Sequence, residues 1–224
     1  MSACDPTLTG PLKPSFKAAG DDVPNTAKIE KLIQSLRLLK HPEGGWFAET
    51  DRDTLRIPNP FLGKEQQDHG GSLVEYTAKA DGDDASRSAM TTIFYLLTPN
   101  SPQGRFHRNK GRTVHTLHKG RGRYVLIRTD KAKPGEKAVV ETFVVGHDVE
   151  KGERLQWIVD GDIYKASYLL PDNEGSEESQ EGLLISETVV PGFEFIDHNF
   201  LPTNLLPELV DEKQFEELKW LQST

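Results

Sequence analysis

From Asn25 to Leu39 the apolar residues Ile29, Leu32, Ile33, Leu36 and Leu39 recur at helical spacing with charged residues opposite, which predicts an amphipathic helix with Asn25 as its N-cap. Pro42 and the pair Gly44 and Gly45 then enforce a turn, and WFAETDR alternates as a strand does. Further on come TTIFYLLT, GRFHR, RTVHTLH, GRYVLIRT, AVVETFVVG, RLQWIVD, IYKASYLL, LLISETVV and FEFIDHNF, separated by short turns rich in Gly, Lys and Asp. Many short strands with Gly-rich turns predict an all-β sandwich or small barrel.

The remaining segments lack that alternation. Residues 1–24 are predicted to be flexible or to drape over the surface. Residues 57–86 read as an inserted loop with one strand-like piece, SLVEYTAK, and the acidic stretch 171–182 as a solvated loop. The main domain therefore spans 25–202. Residues 203–224 form a helical extension in which Leu209, Phe215, Leu218 and Leu221 share one face.

Composition narrows the function. A net charge of −8 and a pI near 5.4, with no basic stripe, oppose binding to a nucleic-acid backbone. The single cysteine, Cys4, excludes an intramolecular disulfide and a thiolate metal site. No apolar run reaches the roughly 20 residues that a membrane span needs, and the N-terminus lacks the pattern of a signal peptide. The expectation is a cytosolic protein, with the nucleus as an alternative compartment, that binds neither nucleic acid nor membrane.

Five motifs in order, HPEGGWFAETDR, TTIFYLLTP, FHR, the QW strand followed by KAS, and VVPGFEFIDHNFL, resemble cupin family 5, a group of small cupins, over most of residues 30–202. The resemblance implies a double-stranded β-helix, a conical jelly-roll barrel with a pocket at its open end, and a homodimer. The superfamily includes metal-dependent oxygenases, metal-free sugar epimerases and storage proteins, so fold alone does not assign function.

Cupin metal sites, by resemblance, need two histidines, a glutamate and a later histidine. Here FHR keeps only His107, the glutamate position falls near Thr113, and the later position is Tyr164 or Lys165 depending on the turn alignment. The expectation is therefore no cofactor, with a transition metal held by His107, His115 and a carboxylate as an alternative. His118 has the opposite parity on its strand and is expected to face outward.

The metal-free epimerases imply a second arrangement, with a histidine as base and a tyrosine as acid. His107 occupies the base position in motif order, and Tyr164 or Tyr168 is expected across the pocket. Glu49, His115, Gln156, Lys165, Glu187, Phe193 and Phe195 are candidate ligand-binding residues, since polar side chains on inner barrel walls need partners and aromatic rings can stack a flat ligand. Glu49 has a second reading as the ion-pair partner of Arg52 or Arg108, and Glu43 reads as a stabiliser of the HPEGG turn. The functional expectation is a pocket for a small polar or aromatic metabolite, with isomerase-type proton transfer. The alternatives are a non-catalytic binding or storage-like cupin and a metal-dependent enzyme.

Overall fold

A computed structural model of the chain describes residues 12–17, 25–62, 84–133 and 135–222. Helix α1 (Ala27–Leu36) carries the expected apolar stripe, but its cap is Thr26, whose hydroxyl accepts the Ile29 N–H at 3.3 Å. Asn25 instead turns its side chain to Glu30 at 2.9 Å. The helix also stops before Leu39: Arg37 takes a left-handed conformation with φ 54°, and β1 (Leu39–Lys40) pairs with β2 (Trp46–Arg52).

The insertion is pinned at its base by a two-stranded ribbon, β3 (Arg56–Pro58) and β4 (Ser86–Ser88). The strand-like piece at 72–79 lies outside the described residues. Each strand-like segment from TTIFYLLT to LLISETVV forms a strand: β5 (Thr91–Leu97), β6 (Gln103–Asn109), β7 (Arg112–Lys119), β8 (Gly122–Arg128), β9 (Val139–Val145), β10 (Gln156–Val159), β11 (Tyr164–Leu169) and β12 (Leu183–Val190). FEFIDHNF departs from the expectation. Phe195–Asp197 makes a 3-10 turn and only His198–Phe200 (β13) pairs. The cause is Asp197, whose carboxylate is drawn into a buried ion pair with Arg87 at 2.6 Å and cannot point out of a regular strand.

Two antiparallel sheets face each other, in the orders β1-β2-β5-β12-β7-β10 and β13-β6-β11-β8-β9. This is the jelly-roll barrel that the resemblance implied. Alternation assigns each strand two faces. On β11, Leu169 joins the lumen core with Leu97, Phe143 and Ile185, while Tyr164, Ala166 and Tyr168 join an outer core with Phe106 and Leu201. The outer core is covered by α2 (Leu206–Leu209), α3 (Glu212–Leu218) and Leu12. Helix α1 covers part of the other sheet through Ile29, Ile33, Leu96 and Leu184.

Each fully buried Leu, Ile or Phe contributes roughly 1.5–3 kcal/mol, and the lumen concentrates them at one end of the barrel. There Leu97, Val145, Leu169 and Leu183 are all fully buried, which closes that end and leaves the other for polar side chains. The acidic loop 171–182 is more ordered than composition suggests. Asp172 accepts from the Ser179 hydroxyl at 3.1 Å and from the Gln180 N–H at 2.7 Å, and Ser179 is buried.

Candidate functional site

The HPEGG turn and β6 build the site together. Gly44 adopts φ 103°, and a β-carbon there would collide with the Gln103 carbonyl, so only glycine lets the turn lie against β6. The Arg105 N–H then donates to the Glu43 carbonyl at 2.8 Å. Between Lys165 and Ser167 the β6–β11 register shifts, with His107 opposite Lys165 and Gly104 opposite Ser167. The extra residue of this bulge re-aims His107 into the lumen. From β13, paired to β6, His198 stacks on His107 with ring centroids 5.1 Å apart.

Glu43 is the hub of this group. Its Oε1 lies 2.6 Å from His198 Nε2, and its Oε2 lies 3.2 Å from His107 Nδ1 and 3.8 Å from His41 Nδ1. Burial alone would raise its pKa, but the imidazoles of His107, His41 and His198 outweigh burial and hold it at about 2. The His107 pKa moves in the same direction, which for a histidine disfavours the charged form. Burial, with Lys165 and His198 adding to it against the pull of Glu43, lowers the ring to about 3, so it is neutral at physiological pH. Its Nδ1 must carry the proton, because it lies 2.8 Å from the Arg105 carbonyl, which can only accept. His198 Nδ1 is buried without a hydrogen-bond partner among the described residues.

A second group lies across the lumen. Lys165 Nζ donates to Glu187 Oε2 at 2.9 Å and sits 3.1 Å from His115 Nε2. His115 faces Glu187 directly across β7 and β12 and stacks on Trp157 at 5.1 Å. Burial would raise the Glu187 pKa; Lys165 and then His115 reverse this and hold it well below the usual carboxylate range. Burial and the Lys165 charge lower His115.

Between the groups lies a cavity of about 130 Å³, bordered by His41, Glu43, Tyr95, His107, Asn109 and Glu187. Phe47, Phe193 and Phe195 add aromatic walls, and Glu49 and Arg52 the more exposed part. Glu49 is the bidentate partner of Arg52, at 2.8 and 3.0 Å, as its ion-pair reading had it. Tyr95 borders the cavity, but its hydroxyl donates to the Gly44 carbonyl at 2.8 Å. Burial, then Glu43 and Glu187, push its pKa well above 10, so it stays a phenol.

Other expected residues fall elsewhere. Tyr164 does not reach the pocket: strand alternation gives the lumen to Lys165 and sends the Tyr164 ring into the outer core, where its hydroxyl is buried and unpartnered among the described residues. Tyr168 shares that outer face. Gln156 is exposed and bonds Thr116 at 3.3 Å, on the face of β10 opposite the buried Trp157. His115 and Lys165 are buried behind Glu187 and do not border the cavity. His118 is exposed, against Phe94.

The comparisons agree with this architecture. A family model described as "Cupin superfamily (DUF985)" matches residues 30–201. The chain belongs to this cupin family. An uncharacterized protein of Saccharomyces cerevisiae is 41% identical over 198 residues, covering 87% of this chain and 86% of its own. A hypothetical protein from Leishmania major superposes with a TM-score of 0.65 at 28% identity, covering 89% of this cupin and 100% of that chain. A Shewanella oneidensis protein gives 0.61 at 19% identity, covering 90% and 99%, and shows the fold alone.

The usual cupin metal set does not fit this cupin. Thr113 offers no anionic ligand, and Lys165, which lies in the lumen at the later position, repels a cation. A different trio could hold an ion, since Glu43, His107 and His198 offer ligand atoms all within 4.8 Å of one another. An ion there would have to displace the protons that now join both imidazoles to the carboxylate. Sequence reasoning found His107 and missed His41 and His198, which come from the two ends of the domain. The available signal was that both lie in the motifs that carry the family resemblance.

Proposed function

We propose that the barrel cavity binds a small polar or aromatic metabolite and moves a proton on it without a bound metal, His107 acting as general base. One observation carries this reading. His107 Nδ1–H is held between the Arg105 carbonyl and Glu43, so Nε2 is left as a lone pair on a ring that borders the cavity. Burial keeps the base unprotonated at neutral pH and lowers its basicity. The Glu43 carboxylate beside Nδ1 offsets this loss by stabilising the imidazolium that forms in the transition state.

The test is C–H to C–D exchange in D2O on a panel of small hydroxy-ketones and hydroxy-acids, read by NMR. His107→Gln should slow exchange by about 10²–10⁴-fold while the melting temperature stays close to that of the wild type. Equal exchange in both proteins, or none with wild type on any panel member, overturns proton transfer. A retained ligand without exchange would favour a binding cupin.

A second reading rests on the mutual spacing of Glu43, His107 and His198, which suits a divalent ion with two imidazoles and one carboxylate. Elemental analysis of the purified protein separates the two. One transition-metal ion per chain, lost in His198→Ala, would replace the metal-free reading.

A further inference from the structure

His41 and His107 both border the cavity, and the backbone fixes them in opposite tautomers. The Glu43 N–H donates to His41 Nδ1 at 3.2 Å, so that nitrogen is unprotonated and the proton of the neutral ring is on Nε2. The Glu43 carbonyl accepts the Arg105 N–H at 2.8 Å, and the Arg105 carbonyl in turn accepts His107 Nδ1–H at 2.8 Å. One run of backbone bonds thus links the rings and leaves one Nε2 as a donor and the other as an acceptor. Neither Nε2 has a hydrogen-bond partner among the described residues.

The stronger donors nearby are committed. Tyr95 gives its hydroxyl proton to Gly44, Arg52 is held by Glu49 and Glu194, and Lys165 by Glu187 and His115. One polar side chain is open, since Asn109 borders the cavity and its Oδ1 is buried without a partner among the described residues. The cavity of about 130 Å³ suits a compound of roughly six heavy atoms, since an engineered cavity of about 150 Å³ binds benzene.

We propose that His41 is a catalytic electrophile, its Nε2–H hydrogen-bonding the carbonyl oxygen of a small α-hydroxycarbonyl compound whose hydroxyl group hydrogen-bonds the Asn109 side-chain amide. The inference rests on the proton-transfer role of His107 and adds the substrate class. The C–H bond of the carbinol carbon breaks, its proton goes to His107 Nε2, and its electron pair forms a carbon–carbon double bond as the carbonyl π pair moves onto oxygen. His41 meets that charge. Return of the proton from His107 to the former carbonyl carbon, with His41 giving its proton to one oxygen and taking one from the other, yields the isomer. The step balances without oxidant, reductant or co-reactant.

The probe is glycolohydroxamate, a stable mimic of the enediolate, titrated calorimetrically into the full-length protein. His41→Phe should weaken binding about a hundredfold, the loss typical of one oriented donor to an oxyanion, and His41→Gln should recover at least about tenfold of it. Nitrogen-15 NMR of histidine-labelled wild type should show His41 protonated on Nε2 and His107 on Nδ1. No binding by wild type, unchanged affinity in His41→Phe, or a His41 proton on Nδ1 would each overturn the role. The two proposals fail separately. Exchange in D2O that survives His41→Phe removes His41 and keeps His107 as base; probe binding that depends on His41, without any exchange by wild type, keeps the donor and removes proton transfer.

Discussion

Two carboxylates sit inside one barrel, each ringed by basic groups, and they are completed differently. Glu187 has an ammonium partner, Lys165, which also reaches His115 Nε2, and both of these basic groups lie behind Glu187, away from the cavity. Glu43 has imidazole partners, and an imidazole that gives one nitrogen to a carboxylate keeps a second for something else. His107 Nε2 and His198 Nδ1 are those second nitrogens. Burial and charge alone do not mark a functional site in this barrel. The difference is whether the carboxylate's basic partners border the cavity, as His41 and His107 do and His115 and Lys165 do not.

The largest effect should come from breaking the Glu187 cluster. Lys165→Met leaves Glu187 buried without its counter-charge and should cost about 3–5 kcal/mol of stability. For a domain of this size that is a fall of roughly 6–20 °C in melting temperature. Adding Glu187→Leu should restore most of it, because a well-packed apolar pair replaces a buried ion pair at little cost. A double variant no more stable than the single would show that the pair does more than balance its own burial.

The open cluster should respond to acid. Glu43 is depressed to about 2 and His107 to about 3, and His41 is lowered. In each case the unfolded chain binds the proton first. The stabilisation is complete above pH 6.5 and is lost as pH falls, first through the histidines and finally through Glu43 near pH 2. Denaturant midpoints should therefore decline from about pH 6.5 downward, before carboxylates alone would act. Glu43→Gln should flatten the limb below pH 4.5 and lower stability at neutral pH by about 3 kcal/mol, the equivalent of its depressed pKa. A pH profile identical to wild type would mean that Glu43 is not the ionised hub.

The barrel was legible because period-2 alternation is local. LLISETVV and TTIFYLLT need only their own residues to declare two faces. His107 was legible from motif order. His41 and His198 were not, because their meeting depends on long-range events: Gly44 packing on β6, a bulge in β6, and Arg87 at the base of the insertion pairing with Asp197 in the turn just before His198. The Tyr164 or Lys165 alternative stayed open for a related reason. Parity within a strand says which residues share a face, and only the pairing of Lys165 with His107 says which face is the lumen.

The smallest effect sharpens the same contrast between wall and lumen. Tyr164 lies next to Lys165 in the chain, yet its ring packs with Phe106 and Leu201, and Arg108 lies over it at 5.1 Å. Its buried hydroxyl has no partner among the described residues, so removing it forfeits no hydrogen bond seen there and relieves a desolvated polar group. Tyr164→Phe should therefore change stability by no more than about 0.5 kcal/mol, toward stabilisation if at all, and leave probe affinity and proton exchange at wild-type levels. Loss of exchange in this variant would put the Tyr164 hydroxyl in the lumen and reverse the parity of β11. The same reversal would take Lys165 out of the barrel, so this one substitution tests the face assignment on which both clusters depend.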